Sequence, residues 1–227
     1  MTKLFLSCEH GGHQIPDRYQ HLFANSGDIL ETHRGWDIGA LELFHAMNQL
    51  SIHFAIYNQV SRLLVDFNRS LHRRSLFSAF TKGLSVEEKQ RILYTFYLPF
   101  RSVFAEKITE VVDKNQEVFH VSVHSFTPIL NGEVRNADIG LLYNPSHSRE
   151  KEIALQWKTI LNKTFPQLRV RFNYPYLGKS DGHVAPLRQQ FGNAYAGIEL
   201  EMNNKHAGSI EVINAIVLSY IALTERL

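Results

Sequence analysis

Short apolar runs alternate with segments of helical periodicity along this chain, and that alternation is the feature that most restricts its fold. Several of the runs are continuously apolar, which is typical of strands covered on both faces of a sheet. Strands that alternate with helices predict an α/β fold, here a three-layer sandwich around a central mixed, mostly parallel sheet. The predicted strands are residues 3–8, 53–58, 62–67, 118–124, 139–144, 169–173 and 196–202. The predicted helices are residues 37–50, 86–115 (which Pro99 should break or kink), 148–165 and 209–226.

Composition excludes several classes of protein. The chain has 227 residues and no internal repeat, low-complexity tract or Gly/Ser-rich linker, which predicts one domain spanning residues 1–227. Its formal net charge is only +2, and Lys and Arg are scattered among acids, so neither a nucleic acid nor a membrane is indicated as a partner. The single cysteine, Cys8, excludes an internal disulfide. Because no signal peptide is evident either, we expect a cytoplasmic protein.

Polar and titratable residues gather where the predicted strands end. They are His10, Asn68, Arg69, His124 and Glu199. Because the carboxyl ends of strands in an open α/β sheet meet in one crevice, these residues can converge although they lie far apart in sequence. Two histidines and a carboxylate are the usual ligand set of a catalytic zinc site, and a separate carboxylate can act as general base on a water molecule.

Some of these residues have competing interpretations. The chain has 12 histidines, most of which must be structural or on the surface. His120 shares a strand face with His124 and competes with it for the role of ligand. Arg69 follows Asp66 closely and can form an internal ion pair instead of binding a substrate.

Seven segments of the sequence resemble, in order, the N-formylglutamate amidohydrolase family, zinc-dependent hydrolases that share a fold with the zinc carboxypeptidases and aspartoacylases. Any one of them is a weak signal, but seven in the family's order are specific. The resemblance implies a carboxypeptidase-like fold, one Zn²⁺ and hydrolysis of the amide bond of a small N-acyl amino acid, most closely N-formylglutamate. The segments span residues 7–204 and read SCEHGGHQIP, HRGWDIGALEL, SRLLVDFNRS, VHSFTP, ADIGLLYNP, NYPYLG and GIELEMNN.

The resemblance also implies the metal ligands. His10 matches the family's first zinc ligand, and the HSF triplet at His124 is similar to the carboxypeptidase HSY, whose histidine is a ligand. The remaining ligand is assigned to Asp37, which stands at the family's acidic position. Glu9, adjacent to His10, is the alternative.

The catalytic and substrate-binding roles follow from the same resemblance. The IEL triplet is similar to the carboxypeptidase strand that carries the general base, which favours Glu199 over Glu201, two residues further along the same strand face. Asn68 and Arg69 resemble the carboxypeptidase Asn-Arg pair that holds the substrate carboxylate. Arg135 is a second cationic candidate for that role.

The chain departs from the family after the last strand. Many members carry an arginine there, where this chain has Met202 and Asn203. Arginine suits bidentate capture of a carboxylate, so this departure leaves open whether a glutamate-type substrate is retained, and Arg62, Arg69 and Arg135 are available for the role.

Other functions stay open on the sequence. One alternative is a deacylase or peptidase that acts on another N-acyl or peptide substrate, and the other is a non-catalytic zinc-binding or anion-binding protein that keeps the fold. The loop at residues 175–183, rich in Gly and polar residues, is interpreted either as a lid or specificity loop or as a surface turn. The sequence does not indicate an oligomeric state.

Overall fold

The computed structural model describes residues 2–227 and is organised around one six-stranded sheet with the order β2–β1–β3–β8–β6–β7. Strands β2, β1, β3 and β8 are parallel, whereas β6 runs antiparallel to β8 and parallel to β7. The predicted mixed, mostly parallel sheet is therefore confirmed. The strands are β1 (Thr2–Cys8), β2 (Phe54–Tyr57), β3 (Glu117–Phe126), β4 (Ile129–Leu130), β5 (Glu133–Val134), β6 (Ile139–Leu142), β7 (Val170–Phe172) and β8 (Tyr195–Asn203), of which β4 and β5 form a separate antiparallel hairpin.

Helices cover both faces of the sheet, as the three-layer prediction requires. Helices α2, α5 and α7 pack on one face, around the fully buried Trp157. Helices α4 and α6 pack on the other face, around Phe5 and Phe104. The helices are α1 (Gly27–Leu30), α2 (Ala40–Met47), α3 (Val86–Ile92), α4 (Leu98–Val112), α5 (Ser148–Thr164), α6 (Val184–Phe191) and α7 (Ile210–Thr224).

Two expectations change in detail. The apolar run at 62–67 is not a strand but a series of turns, because its side chains are buried against Phe23, Tyr97 and their neighbours rather than in the sheet. The interruption expected at Pro99 takes the form of a π-helical turn, Leu93–Tyr97, that joins α3 to α4. Among the helices of residues 2–227, none is both long enough and apolar enough to cross a bilayer.

The α4/α6 face of the sheet is polar near the carboxyl ends of its central strands. Side chains that alternate along a strand share a face, so His120, Ser122 and His124 of β3 point to the same side. In the neighbouring strand β8, Glu199 lies opposite Ser122 and Glu201 lies opposite His124. The parallel register of β3 and β8 therefore places a histidine and two carboxylates side by side.

Candidate metal centre and its cavity

Three buried side chains meet at the carboxyl end of the sheet. His10 follows β1, Asp37 precedes α2 and His124 lies near the end of β3, and one ligand atom of each lies within 4.8 Å of the others. Asp37 Oδ2 is 3.5 Å from His10 Nδ1 and 2.8 Å from His124 Nδ1. Two imidazoles and a carboxylate are a donor set that zinc prefers.

Local backbone contacts hold this triad in place. The amide of Asp37 donates to the carbonyl of His10 at 2.9 Å, which ties the loop before α2 to the end of β1. The turn after His10 passes directly against the backbone of Gln59, and a Cβ on Gly12 would lie 2.7 Å from the carbonyl oxygen of Gln59. Glycine is therefore needed where the chain turns beside the triad. Asn58 closes the turn by donating to the carbonyl of Glu9 at 2.9 Å.

The two ring nitrogens of His10 have different surroundings. Its Nδ1 atom is buried and has no hydrogen-bond partner within residues 2–227, while its Nε2 atom lies 2.7 Å from Asp66 Oδ1. Burial acts to raise the pKa of Asp66, but its interactions with His10 and Arg62 outweigh that effect and hold the pKa well below its usual value. An ionised Asp66 accepts a hydrogen bond from Nε2–H, so in a neutral His10 the lone pair lies on Nδ1, the nitrogen 3.5 Å from Asp37 Oδ2.

His124 sits between two carboxylates. Its Nδ1 faces Asp37, and its Nε2 lies 2.9 Å from Ser122 Oγ and 3.2 Å from Glu9 Oε2. Burial opposes protonation of His124, but its hydrogen bonds to Asp37 and Glu9 raise its pKa well above the usual value. Without a metal, the imidazole thus carries the positive charge that these carboxylates require, which is the charge a cation would supply.

Glu9, the alternative ligand, has a different place. It is fully buried and lies against Nε2 of His124, on the opposite edge of the ring from Asp37. The geometry therefore groups Asp37, and not Glu9, with the two histidines.

His120, the competing histidine, bonds to Ser7 Oγ and Tyr195 Oη with its two ring nitrogens, at 2.7 and 2.6 Å.

A cavity of about 540 Å³ opens above the triad. Six residues expected from the sequence line it, and they are His10, Asp37, Asn68, Arg69, His124 and Glu199. Arg135, also expected there, lies outside the cavity, with its guanidinium carbon 5.1 Å from the ring centre of Tyr176, which does line the wall. Tyr176, Leu177, Ser180 and Asp181 show that the loop at 175–183 forms part of the wall.

Two carboxyl groups of β8, Glu199 and Glu201, face this cavity. The pKa of Glu201 is raised to about 8, mainly by burial. The nearby His124 acts to lower this pKa, and the negative charges of Asp37 and Glu199 act to raise it further. Burial also raises the pKa of Glu199. Carboxyl groups of raised pKa in a cleft are suited to transferring protons near neutral pH.

The arginines of the cavity divide into two kinds. Arg62 forms internal ion pairs. Its Nη1 lies 2.9 Å from Asp37 Oδ1 and its Nη2 lies 3.5 Å from Asp66 Oδ2. Arg69 comes no closer to Asp66 than 4.0 Å, so the internal ion pair with Asp66 is formed mainly by Arg62. Arg69 also lines the cavity, and its Nη1 atom donates to the carbonyl of Asn68 at 2.8 Å.

A family model for N-formylglutamate amidohydrolase matches residues 2–207, which is nearly the whole chain. The chain belongs to the N-formylglutamate amidohydrolase family. Membership in this family of amidohydrolases indicates an enzyme that hydrolyses amide bonds.

Solved structures agree on the fold. A gene product of Agrobacterium tumefaciens superposes with a TM-score of 0.79 at 25% identity, covering 98% of this chain and 88% of the other. An N-formylglutamate amidohydrolase from Ralstonia eutropha JMP134 superposes with a TM-score of 0.74 at 16% identity, covering 99% of this chain and 93% of the other. No curated protein sequence matches the chain.

Some residues around this amidohydrolase-family site have no place in the site predicted from the sequence. The sequence pattern indicates Asp66 only as an ion-pair partner for Arg69, yet it bonds His10. Asp181 belongs to none of the predicted site residues, yet it accepts a hydrogen bond from the amide of Ser70 and lies 3.2 Å from Arg73, and so holds one wall of the cavity. The available signal was the acidic residue inside the apolar run at 62–67, because a buried carboxylate requires a partner.

Proposed function

We propose that the protein is a zinc-dependent hydrolase that cleaves the amide bond of an N-acyl amino acid, with N-formylglutamate or a close relative as its substrate. The observation that carries this proposal is the buried set of His10, Asp37 and His124 at the floor of a cavity that also holds carboxyl groups and an arginine. Family membership supports an amide as the bond that is broken.

The three buried residues fit a zinc ion. His10 has an Nδ1 atom that is unpartnered within the described part of the chain. Asp37 Oδ2 lies near this atom and near Nδ1 of His124, so one carboxylate oxygen and two imidazole nitrogens converge. When bound, zinc supplies a Lewis acid that activates water at neutral pH and polarises a carbonyl oxygen. Asp66 fixes the ring of His10 from outside, and Arg62 fixes the carboxylate of Asp37.

Glu199 is proposed as the general base. It faces the cavity from the middle of β8, where it can take a proton from the attacking water and deliver it to the leaving amine. Glu201 shares its strand face and lies opposite His124, so it is the residue that competes for this role.

Asn68 and Arg69 are proposed to hold the carboxylate of the substrate. Both line the cavity, and arginine can bind a carboxylate through two parallel hydrogen bonds. Since Arg135 stacks on Tyr176 of the cavity wall but does not line the cavity itself, its proposed contribution is to a substrate group at the edge of the cavity.

A turnover screen tests this function. Zinc-loaded protein is incubated with N-formyl, N-acetyl and N-succinyl amino acids, glutamate derivatives included, and release of the free amino acid is followed. Fastest turnover of N-formylglutamate supports the proposal. Preference for another acyl group or for a peptide makes the protein a different deacylase or peptidase, and zinc binding without turnover of any substrate makes it a binding protein.

A further inference from the structure

A buried hydrogen-bond network surrounds Glu9, which the proposed mechanism does not use. Glu9 is fully buried, and none of its carboxylate reaches the cavity. Ser7 donates to its Oε1 atom, and Ser122 donates to its Oε2 atom at 2.7 Å. The carboxylate is thus held from both sides by hydroxyl groups on β1 and β3.

The hydrogen atoms of this network can be counted. The hydroxyl of Ser122 has one hydrogen, and that hydrogen goes to Glu9. The contact of 2.9 Å between Ser122 Oγ and His124 Nε2 then requires the hydrogen to be on Nε2. The same hydrogen also lies close to Glu9 Oε2, which is 3.2 Å from Nε2. A His124 that binds a metal is neutral, and with its hydrogen on Nε2 its lone pair lies on Nδ1, the edge that faces Asp37.

In the second branch of the network, which runs through Ser7, the hydrogen bonds are also donated toward Glu9. Ser7 donates to Glu9, so the contact of 2.7 Å between Ser7 Oγ and His120 Nε2 places a hydrogen on that nitrogen. Nδ1 of His120 then accepts from the hydroxyl of Tyr195 at 2.6 Å. Every donor in this hydrogen-bond network, from the hydroxyl of Tyr195 to the imidazole of His124, therefore points toward the carboxylate of Glu9.

We propose that Glu9 is a positioning residue for the metal centre, which holds His124 in the form that carries its hydrogen on Nε2 and so presents Nδ1 as an unprotonated ligand. Carboxylates that bind the outer nitrogen of a ligating histidine fix its orientation and make it a stronger ligand. The inference rests on the proposed function, because it assumes that the triad binds zinc.

Zinc affinity tests this role. Dissociation constants are measured by competition with a chromophoric chelator for the wild type, Glu9→Gln and Glu150→Gln. Glutamine keeps the size of Glu9 but loses its charge and places N–H groups where a hydroxyl now donates. Glu150 is the matched control, because it is also fully buried and hydrogen-bonded, to Arg188 at 2.6 Å and to the amide of Gly197 at 2.9 Å, but does not line the cavity.

Glu9→Gln is expected to weaken zinc binding by about 10–100-fold, and Glu150→Gln is expected to leave it unchanged although it lowers thermal stability. Equal zinc affinity of Glu9→Gln and the wild type overturns the inference while the proposed function stands. A wild type that binds no zinc overturns both.

A measurement on the wild type covers the case in which Glu9→Gln does not fold. The ¹⁵N spectrum of the zinc-loaded protein shows which nitrogen of each histidine carries a hydrogen. For His124 we expect the hydrogen on Nε2 and the metal on Nδ1. A hydrogen on Nδ1, or ligation through Nε2, contradicts a positioning role for Glu9.

Discussion

Replacing Arg69 by lysine is the sharpest test of how this site recognises its substrate. Arg69 lines the cavity and its side chain is about one-third exposed, at 34%. Its Nη1 donates to the carbonyls of Asn68 and Asp181, at 2.8 and 3.5 Å, which orients the guanidinium plane and leaves Nη2 outside these hydrogen bonds. Lysine keeps the charge but lacks the planar fork.

The expected size of the effect follows from this geometry. Lysine can make one contact with a carboxylate where arginine makes two, and a hydrogen bond to a charged group contributes about 1.5–3 kcal/mol. Since about 1.4 kcal/mol corresponds to a factor of ten, Arg69→Lys should lower kcat/KM by roughly 10–150-fold. The carboxylate takes no part in breaking the amide bond, so most of this loss should appear in KM.

The assay compares two substrates and two variants. Steady-state kinetics are measured with an N-acyl amino acid and with its carboxamide, for the wild type, Arg69→Lys and Arg73→Lys. Arg73 is the matched control, because it lines the same cavity but lies 3.2 Å from Asp181 and is half exposed, at 51%. Arg69→Lys should lose the preference for the free carboxylate. An equal loss on both substrates, or lowered stability with unchanged KM, would refute the assignment of Arg69 to the carboxylate.

Three further predictions concern the metal and the acids. Glu199→Gln should keep zinc and lower kcat by about 10²–10⁴-fold, whereas Glu201→Gln should have a smaller effect, and the reverse order in steady-state kinetics would assign the base to Glu201. Asp37→Ala and His124→Ala should each lose zinc in metal analysis, and full retention by either variant removes that residue from the site. In the zinc-free protein, Glu201 keeps its proton up to about pH 8, whereas an unfolded chain releases it near 4.5. Its contribution to stability is therefore complete below the unfolded pKa and is lost as the pH rises through about 8. Glu201→Gln should flatten the decline of Tm between about pH 5 and 8, and parallel Tm curves would contradict the raised pKa.

The fold was predictable wherever an apolar run pairs within the sheet. Continuous apolar runs such as 118–124 and 196–202 lie in the centre of the sheet as β3 and β8. The run at 62–67 is equally apolar but is covered by a separate cluster that includes Ile92 and Phe100. Burial alone does not distinguish a strand from a buried series of turns, so the sequence pattern could not exclude a strand there.

The candidate site was predictable for residues that carry a motif and much less so for those that support them. His10 and His124 stand at strand ends, and Asp37 at a matching acidic position, so the sequence could propose that they meet. The contacts of Glu9 and Arg62 depend on which side of a ring or carboxylate each one reaches. That is set by the packing of β1, β3 and the loop at 61–69, which no local sequence pattern encodes.

The dependence of turnover on zinc tests the central claim most directly. Metal-free protein is titrated with Zn²⁺ while hydrolysis of N-formylglutamate is followed by the release of glutamate, with His124→Ala as the control. We expect no turnover without metal, a linear rise that levels off at about one zinc per chain, and no response from His124→Ala. Turnover that is unaffected by removing the metal, or a zinc-loaded protein that does not hydrolyse N-formylglutamate or any related N-acyl amino acid, would contradict the account.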